Sequence, residues 1–252
     1  MAYEKSLSVI YEDNHLLVVD KPAGLPTMGE EPETCFARSV EYIRHRYRKP
    51  GRVYLGVVSR LDRVTSGVIV FARTSKAAKR LNEQFAPAHS TNQGKGTFRA
   101  RKEYLALVRD AENELVSPQV WGDWLDKDEK RRRMMVGTRE SQSSKHAELR
   151  MEPIQNHRGV TLVSVRLHTG RKHQIRVQFS HRGHYILGDS KYGDRQDAWT
   201  GNESIGLHSH RLSIQHPTKK VDLSFTAPLP ALWPKWCRNV VREHDLGGSD
   251  HA

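Results

Sequence analysis

Apolar and polar residues change period often along this chain, and the alternation of short strand-like and helix-like blocks predicts a mixed α+β architecture. Val9-Ile10-Tyr11 and Leu16-Leu17-Val18-Val19 flank the turn formers Glu12-Asp13-Asn14, the pattern of a β-hairpin. Between Thr34 and Arg48, Phe36, Val40, Ile43 and Tyr47 recur at helical spacing and predict an amphipathic helix. Val68-Ile69-Val70-Phe71 follows a Thr65-Ser66-Gly67 turn and reads as a buried strand. Thr74 or Ser75 then caps a second helix with Ala77, Ala78, Leu81 and Phe85 on its buried face, stopped by Pro87.

The second half carries the same kind of signal. His89 to Ala100 has no periodicity and is expected to be an extended loop. Lys102 to Val108 alternates as a strand with Tyr104, Ala106 and Val108 on one face. The dense mixed charge from Asp126 to Arg133, within a 126–139 loop, predicts an exposed segment, solvated or gripping phosphates with its arginines. His146–Met151 and Val160–His168 read as paired strands. Ile175, Val177 and Phe179 alternate as in a strand, yet Ile175 and Phe179 also fit a helix, so both forms stay open. Val221, Leu223 and Phe225 predict a strand after the His216–Lys220 link, and Trp233, Trp236 and Val240 a terminal helix.

A chain of 252 residues is long enough for one large or two small domains. Its formal net charge of +12 points to a polyanionic partner, nucleic acid or an anionic membrane surface. No apolar run approaches the ~20 residues of a membrane span, and the first residues do not read as a signal peptide. Cys35 and Cys237 are far apart and lack metal-like spacing, which predicts a reducing compartment and no disulfide.

The candidate chemistry starts at Asp62, flanked by Arg60 and Arg63 just before the buried strand. Guanidinium groups beside a carboxylate keep it ionised, as a nucleophile requires; a plain surface ion pair gives the same pattern. From Arg166 to Gly183 the chain carries Arg166, Arg171, Lys172, Arg176 and Arg182 with no acid, a surface that must meet anions. The histidines at 173, 181, 184, 208 and 210 lack the spacing of a metal site, and none is expected. A hydrolase or nuclease would want a second carboxylate beside the first. Asp123, Asp126, Asp128 and Glu129 belong to a different segment.

Several segments together resemble the RluA-type pseudouridine synthases. Arg60 to Gly67 matches the R-L-D-x-x-T-S-G signature, Lys102 to Ala106 matches K-x-Y-x-A, and Thr169 to Arg176 matches T-G-R-x-H-Q-I-R. Asp20 to Leu25 is similar to the D-K-P-x-G-L segment that packs beneath the family's catalytic loop. Ser59 departs from the pattern, since most members carry His there. The resemblance implies an α+β pseudouridine synthase fold with a central mixed, mostly antiparallel sheet flanked by helices and loops. It implies one catalytic domain over residues 1–252, with a core of about 9–228, no S4-like domain, and a frayed tail at 243–252.

By that resemblance the chain isomerises uridine in ribosomal or transfer RNA to pseudouridine, without cofactor or metal, as a cytoplasmic monomer with no membrane partner. Asp62 is then the catalytic carboxylate, Tyr104 the ring that stacks on the base, and Arg176 the cation paired with Asp62. Arg60, Arg63, Lys21, Arg171, His173 and Gln174 are the expected substrate-binding residues. The competing expectation is a non-catalytic RNA-binding protein on the same scaffold.

Overall fold

The first hairpin turns on Asp13. Its Oδ1 accepts the backbone N–H groups of His15 at 2.7 Å and Leu16 at 2.8 Å. Oδ2 accepts the Tyr11 hydroxyl at 3.0 Å and the His216 Nε2 proton at 2.7 Å. Burial alone would raise this carboxyl, but the His15 N–H, His216 and Leu16 N–H together pull it down to about 2. A computed structural model describes residues 7–86, 98–139, 141, 143–193, 199 and 203–247.

Strands β1 (Ser8–Glu12) and β2 (Leu16–Lys21) form the hairpin. The chain continues through α1 (Cys35–Arg46), β3 (Gly56–Val57), β4 (Ser66–Ala72), α2 (Ser75–Phe85), β5 (Arg101–Arg109), β6 (Gln119–Asp128), β7 (Arg133–Gly137) and β8 (Lys145–His157). It ends with β9 (Val160–Leu167), α3 (Gln174–His181), β10 (Leu207–Gln215), β11 (Asp222–Thr226) and α4 (Lys235–Gly247). Residues 1–102 and 209–228 make one compact unit, and residues 103–208 and 229–252 another.

In the first unit the strands lie in the order β1-β2-β4-β10, with β11 beside β10 and β3 beside β4. β2 and β4 are antiparallel, Leu16 opposite Ala72 and Lys21 opposite Gly67. Leu16, Val18, Val68, Val70 and Ala72 pack on one face with Ala77, Ala78 and Leu81 of α2. Leu17, Val19, Ile69 and Phe71 pack on the other with Cys35 and Ile43 of α1. Covering on both faces explains why these strands read as unbroken apolar runs. Each helix starts at a threonine: Thr34 accepts the Ala37 N–H at 3.0 Å, and Thr74, rather than Ser75, accepts that of Ala77 at 3.1 Å. Gly67 has φ +113°, and a Cβ there would lie 2.2 Å from the Ser209 carbonyl oxygen, so only glycine lets β10 approach β4 this closely.

In the second unit the order is β5-β9-β8-β6-β7. The expected pairing of His146–Met151 with Val160–His168 is the β8–β9 ladder, Leu149 opposite Leu167 and His157 opposite Val160. One expectation changes here and one open alternative is decided. The charged 126–139 segment is mostly paired strand, with Asp128 opposite Arg133 and Trp124 opposite Gly137. Met134 and Val136 pack beside Leu125, Ala147, Val177 and Tyr192, which holds the hairpin down despite its charged tip. The undecided 175–179 stretch is helix α3. The expected loop at 89–100 is described only from Phe98, and of the expected tail, α4 runs to Gly247 while residues 248–252 lie outside the described residues. Among the described residues, no helix is long and apolar enough to cross a membrane.

Candidate active site

Asp62 sits on the loop between β3 and β4, partly buried, with Arg60 and Arg63 exposed on either side of it. The backbone on both sides of Asp62 is pinned. Thr27 Oγ1 donates to the Leu61 carbonyl at 2.8 Å and accepts the Leu61 N–H at 3.0 Å. The Arg63 carbonyl accepts the Gly24 N–H at 2.9 Å and Lys21 Nζ at 3.2 Å. The Asp62 carbonyl itself accepts the Thr65 N–H at 3.1 Å, closing the turn into β4. The 21–27 segment is therefore a cradle for the Asp62 loop, made rigid by Pro22 and Pro26.

Lys21 is the centre of that cradle and is 0% exposed. Its ammonium also donates to the carbonyls of Pro22 at 2.9 Å and Leu25 at 2.7 Å. Burial drives its pKa down to about 8, against the opposing pull of the Cys35 sulfur, Asp62 and Asp20. Above that pH the neutral amine has two N–H donors for three carbonyls, and the loop loosens. Turnover is therefore expected to fall as pH rises through about 8. Stability moves the other way. Between about 8 and the ordinary lysine value of 10.5 the unfolded chain binds more protons at this group than the folded one. The Lys21 contribution to stability therefore rises with pH across that window. Rate and melting profiles of wild type and Lys21→Met across pH 7–10 check both signs; a falling rate limb that survives in Lys21→Met would rule this assignment out.

In the second unit, Arg176 is buried on α3 and forms a two-pronged ion pair with buried Asp189. Nε donates to Oδ2 and Nη2 to Oδ1, both at 2.7 Å. The guanidinium carbon lies 5.0 Å from the Tyr192 ring centroid. His173 precedes the helix in the left-handed region, φ 54°, and its Nδ1 shares a hydrogen bond with the Tyr192 hydroxyl at 2.7 Å. Gln174 is 2% exposed and fully engaged: Oε1 accepts from the Thr169 hydroxyl at 2.7 Å and the Arg171 N–H at 3.0 Å, and Nε2 donates to the Glu148 carbonyl at 3.0 Å. Arg171 Nε donates to the His146 carbonyl at 2.9 Å. Tyr104 lies in β5 at 8% exposure, within a run from Tyr104 to Val108 that is buried throughout. Among the described residues, no group of His, Cys, Asp or Glu is arranged to hold a metal ion.

A family model described as RNA pseudouridylate synthase matches residues 15–181, a span that holds Asp62, Tyr104 and Arg176. The chain belongs to the RNA pseudouridylate synthase family. It is 33% identical to the ribosomal large subunit pseudouridine synthase C of Vibrio cholerae over 88% of this chain and 66% of the relative. It is 34% identical to the ribosomal large subunit pseudouridine synthase D of Xylella fastidiosa over 89% of this chain and 66% of the relative. The chain thus spans about two thirds of the length of these relatives. The solved structure of human RNA Pseudouridylate Synthase Domain Containing 4 superposes with a TM-score of 0.70 at 22% identity, covering 94% of this chain and 93% of that one. Human RNA Pseudouridylate Synthase Domain Containing 1 gives 0.66 at 23% identity, over 91% and 87%. The α+β fold is that of the family.

Within this synthase fold, the expected site residues divide between the units. Asp62, Arg60, Arg63 and Lys21 fall in the first; Tyr104, Arg171, His173, Gln174 and Arg176 fall in the second. Lys21 and Gln174, expected among the substrate-binding residues, are enclosed and bonded to nearby backbone and side-chain partners. Both hold motif loops in shape. Arg63 is exposed and lies 3.5 Å from Glu31. Asp189 and Tyr192 are the residues that grip Arg176. Sequence reasoning missed them, because their meeting with Arg176 depends on the fold, where a buried guanidinium is held by a carboxylate.

Proposed function

We propose that this chain is an RNA pseudouridine synthase that isomerises uridine in ribosomal RNA, with Asp62 as the catalytic carboxylate. The observation that carries the proposal is the loop that holds Asp62: the signature acid is partly buried, and the backbone of both its neighbours is fastened by the 21–27 segment. Such fastening suits a group that must meet a reacting atom in one geometry. In the reaction the bond from ribose to the base nitrogen breaks, the base turns, and a bond from ribose to a base carbon forms; that carbon gives up its proton and the freed nitrogen takes one up. No atom is gained or lost, so no cofactor is needed.

A stacked uridine is out of reach, so the nucleotide must first be flipped, at a cost of a few kcal/mol. The excess of positive charge offsets that cost through phosphate contacts, with exposed Arg60 and Arg63 beside the acid and Arg171 in the third motif as contributors. Tyr104 supplies a flat ring for the flipped base. Arg176 is the cation that the family resemblance pairs with Asp62, and the attraction between two such charges strengthens as water is excluded. Ribosomal RNA is preferred over transfer RNA because the similar curated proteins carry ribosomal large subunit in their names.

Purified protein incubated with large-subunit ribosomal RNA, and separately with transfer RNA, decides the matter by mapping of mass-neutral modification. Pseudouridine in the ribosomal RNA is the expected result. Pseudouridine in transfer RNA alone overturns the substrate, and bound but unaltered RNA, or cleaved RNA, overturns the reaction.

A further inference from the structure

We propose that Tyr192, held by His173, is a positioning residue for Arg176 and tethers that guanidinium to the β6–β7 hairpin. The inference rests on the reading of Arg176 given above. Three observations in the second unit converge on one phenol. Its ring stands 5.0 Å from the Arg176 guanidinium carbon. Its hydroxyl accepts the backbone N–H of Met134 in β7 at 2.8 Å. The same hydroxyl shares a 2.7 Å hydrogen bond with His173 Nδ1, at the start of the helix that carries Arg176.

The backbone around this bond is not at rest. His173 has a left-handed φ of 54°, a conformation that is unfavourable for a non-glycine residue and persists only where its surroundings enforce it. The bond to Tyr192 is such a constraint, and it sets where α3 begins. Arg176 is then fixed from two directions by one short segment. Asp189 takes the edge of the guanidinium with both oxygens, and the guanidinium carbon lies over the Tyr192 ring. Asp189 Oδ1 also accepts the N–H groups of Lys191 at 3.1 Å and Tyr192 at 3.2 Å, so the carboxylate and the ring cannot shift independently.

The other side of the segment faces the hairpin. Besides the Met134 bond, Lys191 Nζ donates to the Arg132 carbonyl at 2.7 Å. Arg131 and Arg132 are exposed at the hairpin turn, with Arg133 partly so, a place suited to RNA phosphates. The strand that leaves this arginine-bearing turn is thereby bonded, through a single hydroxyl, to the residue that opens the helix carrying Arg176.

The test is a series at Tyr192, with Arg176→Met measured alongside. Tyr192→Phe keeps the ring and removes both hydrogen bonds; Tyr192→Leu removes the ring as well. Under saturating large-subunit ribosomal RNA, kcat is expected to fall about tenfold in Tyr192→Phe, and further in Tyr192→Leu, with KM changed less than about twofold. Amide exchange supplies a readout that does not need turnover: protection at Met134 and over residues 174–177 should drop in Tyr192→Phe while that of β8 and β9 is kept. A merely structural tyrosine would lower the melting temperature and leave kcat and this local pattern untouched. Unchanged kcat in Tyr192→Phe with inactive Arg176→Met overturns this inference alone. Full activity in Arg176→Met overturns the reading beneath it, and the exchange at Met134 then decides the tether by itself.

Discussion

Asp62→Asn protein is expected to fold, bind ribosomal RNA with nearly unchanged affinity, and form no measurable pseudouridine. Asparagine fills the same space and leaves the Thr27, Gly24 and Lys21 bonds in place, because those reach the backbone of Leu61 and Arg63 rather than the Asp62 side chain. RNA affinity comes chiefly from cations on phosphates, and a lost carboxylate does not weaken it. What disappears is the negative oxygen pair that acts on the nucleoside. Loss of such a group lowers turnover by about a thousandfold or more. Melting temperature, RNA binding and single-turnover modification, measured on the same preparation, separate this outcome from misfolding. Residual turnover within tenfold of wild type would move the chemistry to another residue.

Asp189→Ala is expected to give the largest loss of stability among single changes at the third motif. Both partners of the Arg176–Asp189 pair are buried, with side-chain exposures of 7% and 1%. Removing one member of a buried pair costs roughly 3–5 kcal/mol, because the other charge stays desolvated without it. For a chain of this size that lowers the melting temperature on the order of 10 °C. Asp189→Asn offers a graded comparison. It can still accept the Lys191 and Tyr192 N–H groups through one oxygen, so it should melt above Asp189→Ala while sharing its loss of turnover. Thermal melts of the two variants check the order, and equal melting would mean that the turn bonds carry none of the effect.

The first hairpin, both threonine-capped helices, the buried strand after Asp62 and the β8–β9 pair were legible because each depends on residues close in sequence. The α3 stretch was not. Residues Gln174 through Phe179 are all buried, so no polar face marks the helical period, and Ile175, Val177 and Phe179 serve either form. What favours the helix is the Gln174 side chain, which locks the turn before it through Thr169, Arg171 and Glu148. The Asp126–Arg133 stretch hid a hairpin for a different reason: its charges lie at the tip, while Met134 and Val136 anchor it further along. The motif residues themselves stood out in the sequence. The supports of those motifs did not, since Thr27 meets Leu61 and Asp189 meets Arg176 only after the chain has folded.

The contact between Gly67 and the Ser209 carbonyl splits the signature into two parts with separate duties. The glycine is demanded by architecture, because any larger residue would push two neighbouring strands apart, whatever the protein does. The acid five positions earlier bears none of that burden. A descendant that exchanged Asp62 for a neutral residue would keep its scaffold and its grip on RNA, and so become a silent binder. In such a lineage the surviving T-S-G would testify to shape alone, and only the identity of residue 62 would distinguish the enzyme from its inactive twin.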